Sequence, residues 1–335
     1  MAPARRDFLY GILALPGLTN LTPGIRRADG PTVRNGEELA DALARARGGE
    51  TIVLAPGDFG GVGQFDVTAS DVILRANVPL RSILWSPVEV AGARVQLADL
   101  AFRSEPETGL LLAAVSACRD SLTIKGKDVE VKGCDFGYFH GRAIMVRPSG
   151  LRPHIHDCRF HDSTFDRRYR NADSAIALGF DNPTSRVQLR ARVINNRLWN
   201  LKASGSALTC KTSGNLVQGN QLSNCKGGYI IRYGVGNSLI GNVSTNSRGI
   251  AIGGRGHRIA NNRIVGSGKI AVQAGTAAFD NLRNGVHPQS AGTVVEGNSG
   301  LLVIGSAYKP MPALDTVVRS HKGSVRLMLQ KGTKL

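Results

Sequence analysis

Aromatic residues are scarce in this chain: Phe, Trp and Tyr together make up 5% of its 335 residues. Proteins that hold single-stranded nucleic acid without sequence preference stack bases on aromatic platforms, so the scarcity argues against that role. Acidic residues are also few, 25 Asp and Glu against 42 Lys and Arg, which leaves a formal net charge of +17. An excess of that size points to a polyanionic partner: nucleic acid, an anionic membrane or an acidic polysaccharide. No apolar run is long enough to span a bilayer. The candidate nearest the start, Phe8 to Leu18, is short and holds a Pro and two Gly. The five cysteines (118, 134, 158, 210 and 225) include no C-x-x-C pair, which argues against a structural zinc site. Their odd number leaves at least one thiol free. Cys134 and Cys158 stand in matching contexts, G-C-D-F and D-C-R-F, and read as stacked core positions.

What the chain does have is glycine, 41 residues of it, and short apolar runs closed by Gly-Asn or Asn-Asn pairs. Runs of three to five residues are too short for helices, and the punctuation says strand, turn, strand. Aligning Cys134, Cys158, Asn196, Asn220, Asn242, Asn262 and Asn298 gives intervals of 24, 38, 24, 22, 20 and 36 residues. A repeat slightly over 20 residues, with loops inserted at the long intervals, is a solenoid signature. A stacked Asn at one corner of each coil can exchange amide hydrogen bonds with its neighbours and suits a sharp turn. The expected fold is all-β, a right-handed parallel β-helix of roughly ten coils. A β-propeller would repeat every ~40 residues, and the short intervals argue against it. Before the coils, Asn35-Gly36-Glu37-Glu38 reads as a helix start, followed by an apolar stripe of Leu39, Ala42, Leu43 and Ala46 and a stop at Gly48-Gly49. Such a helix can cap the open end of a solenoid.

This divides the chain into a leader and linker (1–30), the β-helix (31–310) and a basic cap or tail (311–335), where the pattern fades. Residues Ala4-Arg5-Arg6-Asp7-Phe8-Leu9-Tyr10 resemble a bacterial twin-arginine export signal, which implies a periplasmic or secreted protein.

Two charged residues interrupt the apolar strands, Lys211 and Arg232, 21 residues apart. In a coil of that length they fall on adjacent rungs of one face, and they form the candidate active site. The segments Lys211-Thr212-Ser213-Gly214-Asn215, Arg232-Tyr233-Gly234-Val235-Gly236-Asn237 and Gly249-Ile250 with Gly254, Gly256-His257 and Asn261-Asn262 resemble the core of polysaccharide lyase family 6, the alginate lyases and chondroitinase B. The close match covers about 60 residues.

The resemblance implies β-elimination on a uronate polymer, most often alginate. A base removes the C5 proton, cationic groups stabilise charge on the carboxylate, and an acid helps the C4 oxygen leave. It makes Lys211 the base, which needs a lowered pKa, and Arg232 the acid or its assistant. A guanidinium hardly ever gives up a proton, so Arg232 can instead bind the carboxylate or polarise a water, with Tyr233 as donor. Tyr233 replaces the family's usual His. The family also places an Arg at the position of Ala251, and Arg248 and Arg255 flank that strand. With Lys202, His257 and Arg168 they are the candidate substrate-binding residues. Calcium-using members carry acids five and seven residues before the lysine. Here those positions are Ser206 and Ser204, poor Ca²⁺ ligands, and Asp173 is a lone carboxylate, so no metal or other cofactor is expected. The alternative reading is a non-catalytic β-helix that binds acidic polysaccharide.

Overall fold

The structure, a computed structural model, describes residues 29–104, 120–163, 174–179, 186–202, 206–277, 287–306 and 308–328. The export-signal stretch, Cys118, Arg168, Asp173 and Ser204 lie outside the described residues. The described strands form three long sheets of twelve, eleven and nine strands. Each strand pairs in parallel with its counterpart one coil away, as Leu216–Gln218 does with Arg192–Ile194 on one side and Ser238–Ile240 on the other. The architecture is a parallel β-helix, as the repeat spacing implies.

One coil shows the plan. Leu216–Gln218 lies in the twelve-stranded sheet, Gln221–Ser223 in the nine-stranded sheet and Tyr229–Ile231 in the eleven-stranded sheet. In-pointing residues (Val217, Leu222, Tyr229 and Ile231) are buried in one continuous core. Phe102, Phe136 and Phe160 stack inside it with ring centroids 4.4 and 4.9 Å apart.

The corner between the first two strands explains the Gly/Asn code. Its first residue takes a left-handed backbone at Gly133, Asp157, Asn195, Gly219, Gly241, Asn261 and Gly297. A Cβ at Gly219 would come 2.4 Å from Asn195 Oδ1. Its second residue is the ladder asparagine. The backbone N–H and Nδ2 of Asn196, Asn220, Asn242 and Asn262 each donate to Oδ1 of the next asparagine at 2.8–3.0 Å, ending at Asn298. Cys134 and Cys158 occupy the same column in the earlier coils, where both are buried free thiols, as are Cys210 and Cys225.

The capping helix spans Gly36–Arg45 and starts where its sequence signals place it. Asn35 Oδ1 accepts the Glu38 N–H at 2.9 Å, and Glu38 reaches back to the Arg34 N–H at 2.7 Å. Leu39, Ala42 and Leu43 face the core. At the other end the coil geometry continues past the point where the pattern fades. Val317–Arg319 and Val325–Met328 extend two of the sheets in register. The side chains of these strands are largely exposed, so apolar periodicity has little to reveal there.

Candidate active site

Lys211 and Arg232 are the first residues after neighbouring strands of the eleven-stranded sheet, Ser206–Cys210 and Tyr229–Ile231. Cys210 pairs with Ile231, so the two cations stack on consecutive rungs, one strand spacing of about 4.8 Å apart. The Lys211 N–H donates to Leu178 O at 2.8 Å and the Arg232 N–H to Cys210 O at 2.9 Å, which extends the ladder through both residues. Leu208 and Cys210 belong to the core, so alternation turns Thr209 and Lys211 outward. The same hydrogen-bond pattern places Lys125, Arg147, Gly179, Gly253 and Gln273 in this column. The outcome is a basic edge beside a shelf of small residues, among them Ala177, Thr209 and Ala251. The column contains no carboxylate among the described residues.

A second ladder holds the turns that carry these cations. Asn215 accepts the Ala191 N–H, Asn237 accepts the Asn215 N–H, and His257 Nδ1 accepts the Asn237 N–H, at 2.9–3.1 Å. Gly234 lies between Arg232 and Asn237 with φ 91°, and a Cβ there would meet Thr212 O at 2.2 Å. The matched glycines and asparagines therefore fix turn shape, and through it where each turn starts.

Around Arg232 the structure gathers groups that lie outside the coil repeat. Burial first, and then the charge of Arg232, hold the Lys309 ammonium below its ordinary pKa. His287 is pushed down by burial, then by Lys309 and Arg232. The Arg232 guanidinium lies 5.7 Å from the Tyr233 ring centre, and its buried Nε has no hydrogen-bond partner among the described residues. Tyr233 is 1% exposed. Burial raises its phenol pKa against the opposing charge of Arg232, so it is protonated at neutral pH. Lys309 and His287 were not legible in the sequence. Neither belongs to the repeat: His287 sits in the long insertion between Gln273 and Thr293, and Lys309 follows the strand Leu301–Gly305.

The other sequence candidates are dispersed. Lys202 and Arg248 are exposed and precede strands of the eleven-stranded sheet, at the edge opposite Lys211 and Arg232. Arg255 is exposed in the turn after Gly249–Ile252, bridged to Val235 and Ala291. His257 is a correction. It is 1% exposed, Nδ1 accepts from Asn237, and Nε2 donates to Gly253 O at 3.2 Å, so its ring continues the ladder instead of meeting substrate. Burial pushes its pKa down to about 4. Ser206, at one of the family's calcium-ligand positions, is buried with its hydroxyl bonded to Thr209 Oγ1.

Residues 147–298 match the family described as "Periplasmic copper-binding protein (NosD)". No curated protein matches the chain. Among solved structures, the chain is similar to alginate lyase AlyF-OU02 in complex with G6, with TM-score 0.67 and 16% identity over 90% of this chain and 80% of that one. It is also similar to a mannuronic acid-specific polysaccharide family 6 lyase from human gut microbiota, with TM-score 0.66 and 16% identity over 88% and 82%. A third is the A-module of the Azotobacter vinelandii mannuronan C-5 epimerase AlgE6, with TM-score 0.54 and 11% identity over 88% and 91%. The fold is that of the family 6 alginate lyases. No helix among the described residues is long and apolar enough to cross a membrane.

Proposed function

We propose that this chain is a periplasmic or secreted polysaccharide lyase that cleaves a uronate polymer, with alginate the first substrate to test, by β-elimination. The observation that carries the reading is the stacking of Lys211 and Arg232 on consecutive outward rungs of one sheet edge. A polyanionic chain laid along that edge meets two adjacent cations there and, past Gly179, a third at Arg147.

In this mechanism Lys211 Nζ takes the C5 proton. Arg232 and Lys309 face the carboxylate, whose charge grows as the proton leaves, and the buried Arg232 Nε gains an acceptor. The electron pair left on C5 forms the C4–C5 double bond as the C4–O bond breaks. The departing oxygen takes a proton from a water polarised by Arg232, or from Tyr233 where substrate binding opens the turn that leaves this ring 1% exposed. Neutralisation by side chains removes the need for calcium, and no step passes through a metal.

The test is incubation with alginate, polyguluronate, polymannuronate and dermatan sulfate while following the ultraviolet band of the unsaturated uronate. Product from any of them supports the lyase. Binding without turnover would favour a carbohydrate-binding β-helix. Proton abstraction at C5 is also the first step of epimerisation, and an epimerase module shares the fold. A change in uronate composition by proton NMR without an unsaturated product would therefore replace elimination by epimerisation.

A further inference from the structure

On a different sheet from the catalytic edge, the strand His154–His156 reads His-Ile-His. Ile155 is fully buried, so both imidazoles project from the outer face of the twelve-stranded sheet. The preceding coil sets Glu130 in register beside His154, on the strand Glu130–Lys132. One ligand atom from each of Glu130, His154 and His156 lies within 4.8 Å of the other two. The rings of His154 and His156 are 4.0 Å apart.

The surroundings orient these groups as metal sites orient theirs. His156 Nδ1 meets Asp157 Oδ2 at 2.7 Å, which leaves Nε2 towards Glu130 Oε1 at 2.9 Å. A carboxylate on the far nitrogen of an imidazole fixes the ring and raises its basicity as a ligand. The second oxygen of Glu130 is held by Gln96 Nε2. All of this sits on a continuous sheet, so the backbone positions are rigid. Two cations are in register with the ligands, Arg192 beside His154 and Lys132 beside His156, and they moderate the affinity.

We infer that Glu130, His154 and His156 form a binding site for a divalent first-row transition ion of the imidazole-preferring kind, such as Zn²⁺. Two imidazoles and one carboxylate suit zinc or copper and are a poor set for Ca²⁺ or Mg²⁺, which want oxygen. A tetrahedral ion with bonds of about 2.0–2.2 Å holds its ligands roughly 3.4 Å apart. Side-chain rotation has to draw His154 inward and part His156 Nε2 from Glu130 Oε1, now 2.9 Å apart, and water supplies the fourth position. The ion takes the place of the proton between His156 and Glu130, and that proton is released to solvent.

The test is calorimetric titration of the full chain with Zn²⁺, at fixed pH, with Ca²⁺ as the contrast. One Zn²⁺ per chain with Kd below about 10 μM is expected, weakened at least 100-fold in His154→Ala/His156→Ala and about 10–100-fold in Asp157→Asn. Circular dichroism of each variant checks that it folds. X-ray absorption of the wild-type zinc complex needs no variant and should show nitrogen and oxygen ligands with two imidazoles. Absence of stoichiometric Zn²⁺ binding, a sulfur ligand, or unchanged affinity in the folded double variant overturns the site.

Discussion

Acid should unlock the second ladder at His257. The folded ring has a pKa of about 4, against 6.5 when unperturbed. Nδ1 is an acceptor for the Asn237 N–H, so adding a proton there sets two donors head to head inside a buried turn. The folded pKa is the lower of the two, so the unfolded chain binds the extra proton first. The stabilisation is fully present above pH ~6.5 and is lost as pH falls towards 4. Linkage gives a loss of about 3 kcal/mol by pH 4. His154, with a folded pKa also of about 4, titrates in the same window, and Asp135, at about 2, begins below it. A comparison with His257→Asn removes both contributions. The stacked positions in the two preceding turns are Asn215 and Asn237, so asparagine should continue the ladder and stay within about 1 kcal/mol of wild type at pH 7. Urea unfolding of both proteins from pH 7 to 4 provides the assay. The wild type should lose about 1 kcal/mol per pH unit on average relative to His257→Asn, close to 3 kcal/mol over the whole range. Parallel curves, within about 0.5 kcal/mol throughout, would refute a neutral ladder role for His257.

On a substrate that the wild type cleaves, Lys211→Ala should lower kcat by at least about 10²-fold with the fold intact, and near-normal turnover would remove Lys211 from the mechanism. Tyr233→Phe then separates a phenolic donor from an Arg232-polarised water: full rate places the proton elsewhere. Lys309→Met should raise KM and lower kcat/KM by about 10-fold or more, because it removes a cation from the Arg232 cluster; unchanged kinetics would exclude Lys309 from substrate contact. Exhaustive chelation should leave the lyase rate unchanged, and a loss restored by Ca²⁺ alone would show that the cationic edge does not neutralise the carboxylate unaided. Asn220→Ala should cost about 3 kcal/mol in urea unfolding, since it strands the buried Asn196 N–H and Val193 O; a cost under about 1 kcal/mol would contradict the ladder.

The fold was legible because each coil repeats the same local problem. A corner needs one left-handed residue and one amide that can bond to the coil on either side. That requirement writes Gly-Asn or Asn-Asn into the chain at the coil spacing. One detail differs from the sequence reading: the residue before the ladder asparagine takes the left-handed backbone, which frees the asparagine for its hydrogen bonds. The stacking of Lys211 on Arg232 was legible for the same reason, since their separation is one coil length. The capping helix followed from Asn35, Glu38 and a 3.6-residue apolar period, all local signals. What period alone could not decide is which side chains approach the cations from outside the coils. Lys309 and His287 come within range of the Arg232 charge from segments with no periodic constraint, and only chain packing determines their position. His257 was open in the sequence because a histidine looks alike in a groove and in a ladder; the buried Asn237 N–H beside it made the difference. The same holds for Glu130, His154 and His156: His-x-His is visible in the chain, but the carboxylate beside it comes from the preceding coil. Local repetition determined the scaffold, and contacts between distant segments decided the chemistry it presents.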